Sequence, residues 1–158
     1  MQKIRNVAVL GAGAMGAYFA GRFFDAEGFS TVLIAKEDRL DKLRNNGLII
    51  NGKPYTIPVI HPDKAISPLD LIIVALKNHH LEKAVQGLEK LIGDSTMIIS
   101  VMNGLESEKY IGSIYGMDKM LYTISVGIDA LRQGNRITYT KPGKHYFGDA
   151  VNARLSQR

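Results

Sequence analysis

Apolar residues fall along this chain in two patterns, short unbroken runs and longer stretches in which they return every three or four positions. Val7-Ala8-Val9-Leu10, Leu71-Ile72-Ile73-Val74 and the stretch 97–101 are of the first kind. Runs of this length mark strands buried on both faces. Between them lie stretches of helical period. Residues 14–26 carry Tyr18, Phe19, Phe23 and Phe24 and stop at the turn Glu27-Gly28. A second strand is expected over 31–35. A charged helix follows, with Leu40 and Leu43 as its inner stripe and Asp38 placed to pair with Lys42, four residues on. Asn45-Asn46-Gly47 is its C-terminal cap. Asn51-Gly52, between 48–50 and 55–57, is a strong hairpin signal.

The strand pattern resumes over 70–76, and a helix with Leu81, Val85, Leu88 and Leu91 on one face comes next. The strand at 97–101 runs into Met102-Asn103-Gly104. Beyond it the chain begins helically, and 120–128 reads as a strand. From Arg132 the character changes. Gln133-Gly134-Asn135 and Lys141-Pro142-Gly143-Lys144 are turn signals around Ile137, Tyr139, Tyr146 and Phe147, which predicts antiparallel strands at one edge. The expected class is therefore α/β: a doubly wound, mainly parallel sheet with antiparallel strands at its C-terminal edge. Residues 1–150 form the expected domain; the last residues are polar and carry no clear stop signal.

The junction of the first strand and first helix reads Gly11-Ala12-Gly13-Ala14-Met15-Gly16. A Gly-x-Gly-x-x-Gly turn between a buried strand and a helix holds a dinucleotide pyrophosphate. The first glycine makes the tight turn, the second lets the backbone approach the phosphates, and the third lets helix pack against strand. The strand before it and the helix after it supply the context that the hexapeptide alone lacks. A competing reading takes Lys3, Arg5 and the apolar stretch 7–20 as a secretory signal, with cleavage near Ala20. Glycines at the fingerprint spacing and the continuing strand–helix alternation favour the nucleotide-binding domain, a Rossmann-type fold.

Composition narrows the class of ligand. The 158 residues, 46% hydrophobic and 22% charged, suit one globular domain. Twenty basic against 15 acidic residues give a net charge of +5, but the basic residues are scattered and not interleaved with aromatics. No nucleic-acid partner is expected, and no stretch reaches the length of a membrane span. A mildly basic surface suits an anionic cofactor, although solvated surface charge is the commoner cause. The sequence holds no cysteine, which excludes disulfides, thiolate metal sites and a cysteine nucleophile.

The end of the second strand selects the cofactor: a carboxylate there binds the ribose 2′-hydroxyl of NAD, and a basic residue accommodates the 2′-phosphate of NADP. That place falls on Lys36, with Arg39 one helical turn later, and NADP(H) is expected. A strand one residue longer would put Glu37 there and favour NAD. Lys77 and Asn103 each follow a buried strand, where ligands bind in open parallel sheets. Each also has a plain reading, Lys77 as a surface lysine and Asn103 as half of an Asn-Gly turn. His79 and His80 point roughly 100° apart on a helix and do not converge on one ion; no metal site is expected. Glu106 and Glu108 read as helix-start acids rather than a catalytic pair.

Taken together, Gly11–Gly16, Leu76-Lys77 and Asn103-Gly104 after successive strands, and the late hairpin ending at Phe147-Gly148, resemble the N-terminal half of the ketopantoate reductase (2-dehydropantoate 2-reductase) family. The resemblance implies that Gly11, Ala12, Gly13, Ala14, Met15 and Gly16 hold the pyrophosphate of NADP(H) and that Lys36 meets the 2′-phosphate. Lys77 and Asn103 would line the cleft, with Asn103 in a positioning role. His80 stands where the family commonly has glutamine, and Lys36 where it often has arginine. Family members continue into a helical second domain that supplies the proton-donating lysine and most substrate contacts. By the resemblance this chain ends about where that domain would begin, and residues 151–158 would begin the linker to it. The implied reaction is reduction of ketopantoate, a 2-keto acid, to pantoate for pantothenate synthesis in the cytoplasm. Two other readings stay open, a stand-alone NADP-binding regulatory module and the cofactor half of another hydroxyacid dehydrogenase. Uncovered apolar surface near residues 120–148 predicts self-association, with a homodimer as its simplest form.

Overall fold

The computed structural model describes residues 3–65, 67–104 and 106–148. The expected boundary after residue 150 lies outside the described residues. The chain opens with strand β1 (Asn6–Leu10), helix α1 (Ala14–Asp25), strand β2 (Ser30–Ile34) and helix α2 (Glu37–Asn46). The hairpin β3 (Leu48–Ile50) and β4 (Lys53–Tyr55) turns on Asn51 and Gly52, both at positive φ (48° and 81°), the mirror-image turn that Asn-Gly favours. Next come β5 (Val59–Ile60), β6 (Leu71–Val74), α3 (Asn78–Val85), β7 (Met97–Ser100), α4 (Glu106–Tyr115) and β8 (Met120–Ile128). A second hairpin, β9 (Leu131–Gln133) and β10 (Arg136–Thr138), precedes β11 (Pro142–Gly148).

Seven of these strands form one sheet in the order β11-β8-β7-β6-β1-β2-β5. All its pairings are parallel except β8 with β11. The central runs are apolar at every position because both faces are covered. Side chains alternate along a strand, so Val7, Val9, Leu33, Leu71 and Ile73 pack with α1 and α2 on one side. Ala8, Leu10, Ile34, Ile72, Val74 and Ile98 pack with α3 and α4 on the other. Burying each of these larger aliphatic side chains contributes about 1.5–3 kcal/mol.

Four expectations need correction. Leu88 and Leu91 do not continue α3: the helix stops at Val85, Gly87 takes φ 89°, and a short 3₁₀ turn, Glu89–Leu91, delivers both leucines to the same core. The late hairpin does not extend the main sheet. β10 pairs in parallel with β3, giving a separate small sheet β4-β3-β10-β9 whose buried residues join the α1 side of the core. Residues 142–144 lie in β11 rather than in a turn, and only β11 is the antiparallel edge. Asp38 and Lys42 are both exposed and are not among the ion pairs of the described residues. No helix among the described residues is long and apolar enough to cross a membrane.

Candidate cofactor site

Parallel pairing sets Leu10 opposite Val74 and Val74 opposite Ser100, so β1, β6 and β7 end at one level. Gly13, Lys77 and Asn103 are each the third residue beyond a strand end, and the register brings all three to the carboxyl edge of the sheet. The chain leaves β1 towards β2 and later returns on the other flank at β6. That reversal opens a crevice between the loops after β1 and β6, where open α/β sheets bind ligands.

The three glycines of the first loop differ in what surrounds them. Gly11 has φ 100°, and a Cβ there would lie 2.5 Å from the Ala75 carbonyl oxygen. A Cβ on Gly16 would lie 1.8 Å from the Gly11 carbonyl oxygen. Both positions are therefore fixed by the fold itself. Gly13 is different, since its nearest neighbour would be the Ala75 carbonyl oxygen at 4.0 Å. The protein leaves that side open. Gly13 is also the N-cap of α1; it brings no side-chain cap, and the first turn holds no acid. Free N–H groups and the positive end of the helix dipole thus face an open space, a fit for a pyrophosphate.

At the neighbouring strand end, β2 stops at Ile34, and Lys36 is the N-cap of α2. Its ammonium donates to the Gln86 carbonyl at 3.1 Å, on the α3 side of the sheet. Glu37 opens α2 with φ 48°, an unusual backbone for a side-chain-bearing residue, and its side chain is exposed. Arg39 is half-buried rather than solvated. Its Nη2 donates to the Ala12 carbonyl oxygen at 2.9 Å. Arg132, from β9 of the small sheet, donates through Nη1 to the same oxygen at 2.5 Å. Burial lowers the Arg39 pKa from its ordinary value, and the nearby Arg132 charge lowers it further; burial likewise lowers that of Arg132.

Lys77 is the N-cap of α3 and Asn103 sits in the loop after β7; both side chains are exposed at the crevice end. The His79 and His80 rings lie with centroids 4.0 Å apart and planes tilted by 52°, both exposed. Glu106 is an exposed helix-start acid paired with Lys109 at 3.2 Å. Glu108 departs from expectation, being only 1% exposed. The Ser107 hydroxyl donates to it at 2.7 Å and lies 2.8 Å from the Ser100 hydroxyl, so a buried polar chain sits under the turn that carries Asn103. Its signal in the sequence is spacing, because Glu108 shares the inward stripe with Ile111, three residues on.

Comparison with known proteins places this arrangement. The family model described as ketopantoate reductase PanE/ApbA matches residues 7–152. The chain belongs to the ketopantoate reductase family. A 2-dehydropantoate 2-reductase of Streptococcus pyogenes serotype M3 is 28% identical over 123 residues, covering 76% of this chain and 40% of the relative. Two solved structures share the fold. D-mandelate dehydrogenase in complex with NADH and anilino(oxo)acetate superposes with a TM-score of 0.81 at 23% identity, over 96% of this chain and 51% of that one. A 2-dehydropantoate 2-reductase of Geobacter metallireducens does so with 0.79 at 20% identity, over 96% and 52%. The chain thus spans about half the length of these ketopantoate reductase relatives, and it shares their Rossmann-type fold.

Proposed function

We propose that this chain is the cofactor-binding half of an NADPH-dependent reductase acting on ketopantoate. The observation that carries the reading is the convergence of the glycine loop, Lys77 and Asn103 beyond three adjacent strand ends at the point where the strand order reverses. The loop from Gly11 to Gly16, with the intervening Ala12, Ala14 and Met15, binds the pyrophosphate through backbone N–H groups and the α1 dipole. Lys36 and Arg39 bring two cationic side chains to the end of β2, which favours the 2′-phosphate of NADP over the bare ribose of NAD. Lys77 offers a cation to the cofactor or to the carboxylate of a 2-keto acid, and the Asn103 amide orients the reacting end. The buried Ser100–Ser107–Glu108 chain holds the Asn103 turn in place.

When bound, the nicotinamide supplies the hydride. The forming alkoxide needs a proton donor, which we assign to the portion of the family that this chain does not span. Pantoate formation in the cytoplasm, as part of pantothenate synthesis, is the corresponding cellular role. The purified 158-residue chain should therefore bind NADPH and turn over ketopantoate little or not at all. Efficient reduction by this chain alone would overturn the division of labour. A panel of 2-keto acids, assayed with a version extended to the relatives' length, distinguishes ketopantoate from the substrates of other hydroxyacid dehydrogenases.

A further inference from the structure

Arg39 and Arg132 come from two separate elements and share one acceptor, the carbonyl oxygen of Ala12. Arg39 belongs to α2, the helix that starts just after β2; Arg132 lies 120 residues from Ala12, on β9 of the small sheet. Two like charges brought to one neutral oxygen repel each other, and both are partly withdrawn from water. Neither is among the ion pairs of the described residues. A carbonyl satisfies two N–H groups but compensates no charge.

Both guanidinium groups retain uncommitted donors. A guanidinium has five N–H donors. In the hydrogen bonds seen here Arg39 commits Nη2, and Arg132 commits Nη1 to Ala12 and Nε to the Gly134 carbonyl at 2.7 Å. Both keep donors for a planar, multidentate acceptor, the arrangement in which arginine binds phosphate best. Arg39 reaches from the helix after β2 to the loop after β1, the part of the sheet edge where the 2′-position of an adenosine ribose lies in this fold class, and Arg132 meets it there at the Ala12 carbonyl. Lys36, by contrast, is turned to the α3 side and bonded to Gln86.

Resting on the cofactor reading above, we infer that Arg39 and Arg132 form a two-arginine receptor for the phosphate monoester on the adenosine ribose. The pair, more than Lys36, sets the preference for NADPH over NADH. A phosphate monoester carries about −1.5 to −2 charges near neutral pH, enough to compensate both guanidinium groups. The small sheet thereby acquires a role, since its second hairpin delivers one of the two cations.

The test compares nucleotide affinities of the 158-residue chain and of R39Q, R132Q and K36Q by fluorescence titration with NADPH and NADH. Each arginine variant should weaken NADPH by about tenfold or more and leave NADH within about twofold, while K36Q has the smaller effect. Thermal unfolding midpoints of the variants are read alongside. A second measurement needs no variant: the unsubstituted chain should bind adenosine 2′,5′-bisphosphate at least about tenfold more tightly than adenosine 5′-monophosphate, which differs only by the 2′-phosphate. Equal affinity for these two ligands, or equal loss of NADPH and NADH in the arginine variants, overturns the receptor and leaves the cofactor reading standing. A wild-type chain that binds neither NADPH nor NADH overturns both.

Discussion

A methyl group added at Gly16 would lie 1.8 Å from the Gly11 carbonyl oxygen, whereas one added at Gly13 would meet nothing nearer than 4.0 Å. The two substitutions therefore separate folding from binding. Gly16→Ala must displace backbone at the β1–α1 junction, and chemical denaturation should show a loss of about 2 kcal/mol or more. Gly13→Ala costs the fold no more than about 1 kcal/mol, from its N-cap position, but should reduce dinucleotide affinity by about tenfold. Wild-type nucleotide affinity in Gly13→Ala would show that the open space above the loop is not the pyrophosphate site. The glycines were legible in the sequence because their requirement is local, a turn followed by a helix. The roles of Arg39 and Glu108 were not. Each depends on what the rest of the chain brings to it: for Arg39 the Ala12 carbonyl and a second arginine from the far hairpin, for Glu108 the Ser107 hydroxyl, itself bonded to Ser100 on β7. A helix-start charge reads the same in sequence whether it faces water or a loop.

At the scale of elements, the parallel core was readable from its doubly apolar runs, while the placing of the late strands was not. Turn residues predict where a chain reverses, but the partner that a two- or three-residue strand finds is decided by tertiary packing. Ile137 is fully buried because β10 lies beside β3 over α1, not at the sheet edge. The corner that permits this is clasped by Asp129, just beyond β8. Its carboxylate accepts the backbone N–H groups of Thr140 and Lys141, each at 2.8 Å, and the Thr140 hydroxyl. The Thr140 hydroxyl and the Lys141 N–H are the main causes that depress its pKa from the ordinary 3.8 to about 2. A group whose folded pKa is depressed stabilises the fold above its unfolded value and loses that contribution as pH falls through the folded one. The clasp is therefore intact at neutral pH and fades between pH 3.8 and about 2. Asp129→Asn should lower stability at pH 7 and flatten the acid response in that window, as measured by thermal unfolding across pH. An unchanged acid response in the variant would remove Asp129 from the account of this corner.

The whole molecule leaves one side of its edge ribbon bare. β8 and β11 pair Ile124 with Tyr146, and these two with Val126 expose more than half of their surface. Apolar groups in a contiguous exposed row favour association, and an antiparallel edge offers unpaired backbone besides. Light scattering should show concentration-dependent dimers or larger species. Ile124→Lys together with Val126→Lys should shift the chain towards monomer without changing nucleotide affinity, because the ribbon lies outside the loops after β1 and β6. A wild-type chain that stays monomeric at high concentration would contradict this. At the other end of the molecule, glycine loop, arginine pair and strand ends are proposed to make a site for a phosphorylated dinucleotide. Parallel fluorescence titration of the unmodified chain with NADPH and NADH tests it most directly. Clear preference for NADPH is the predicted result; equal affinity would contradict the assignment of NADP to this site, and binding of neither would contradict the cofactor site itself.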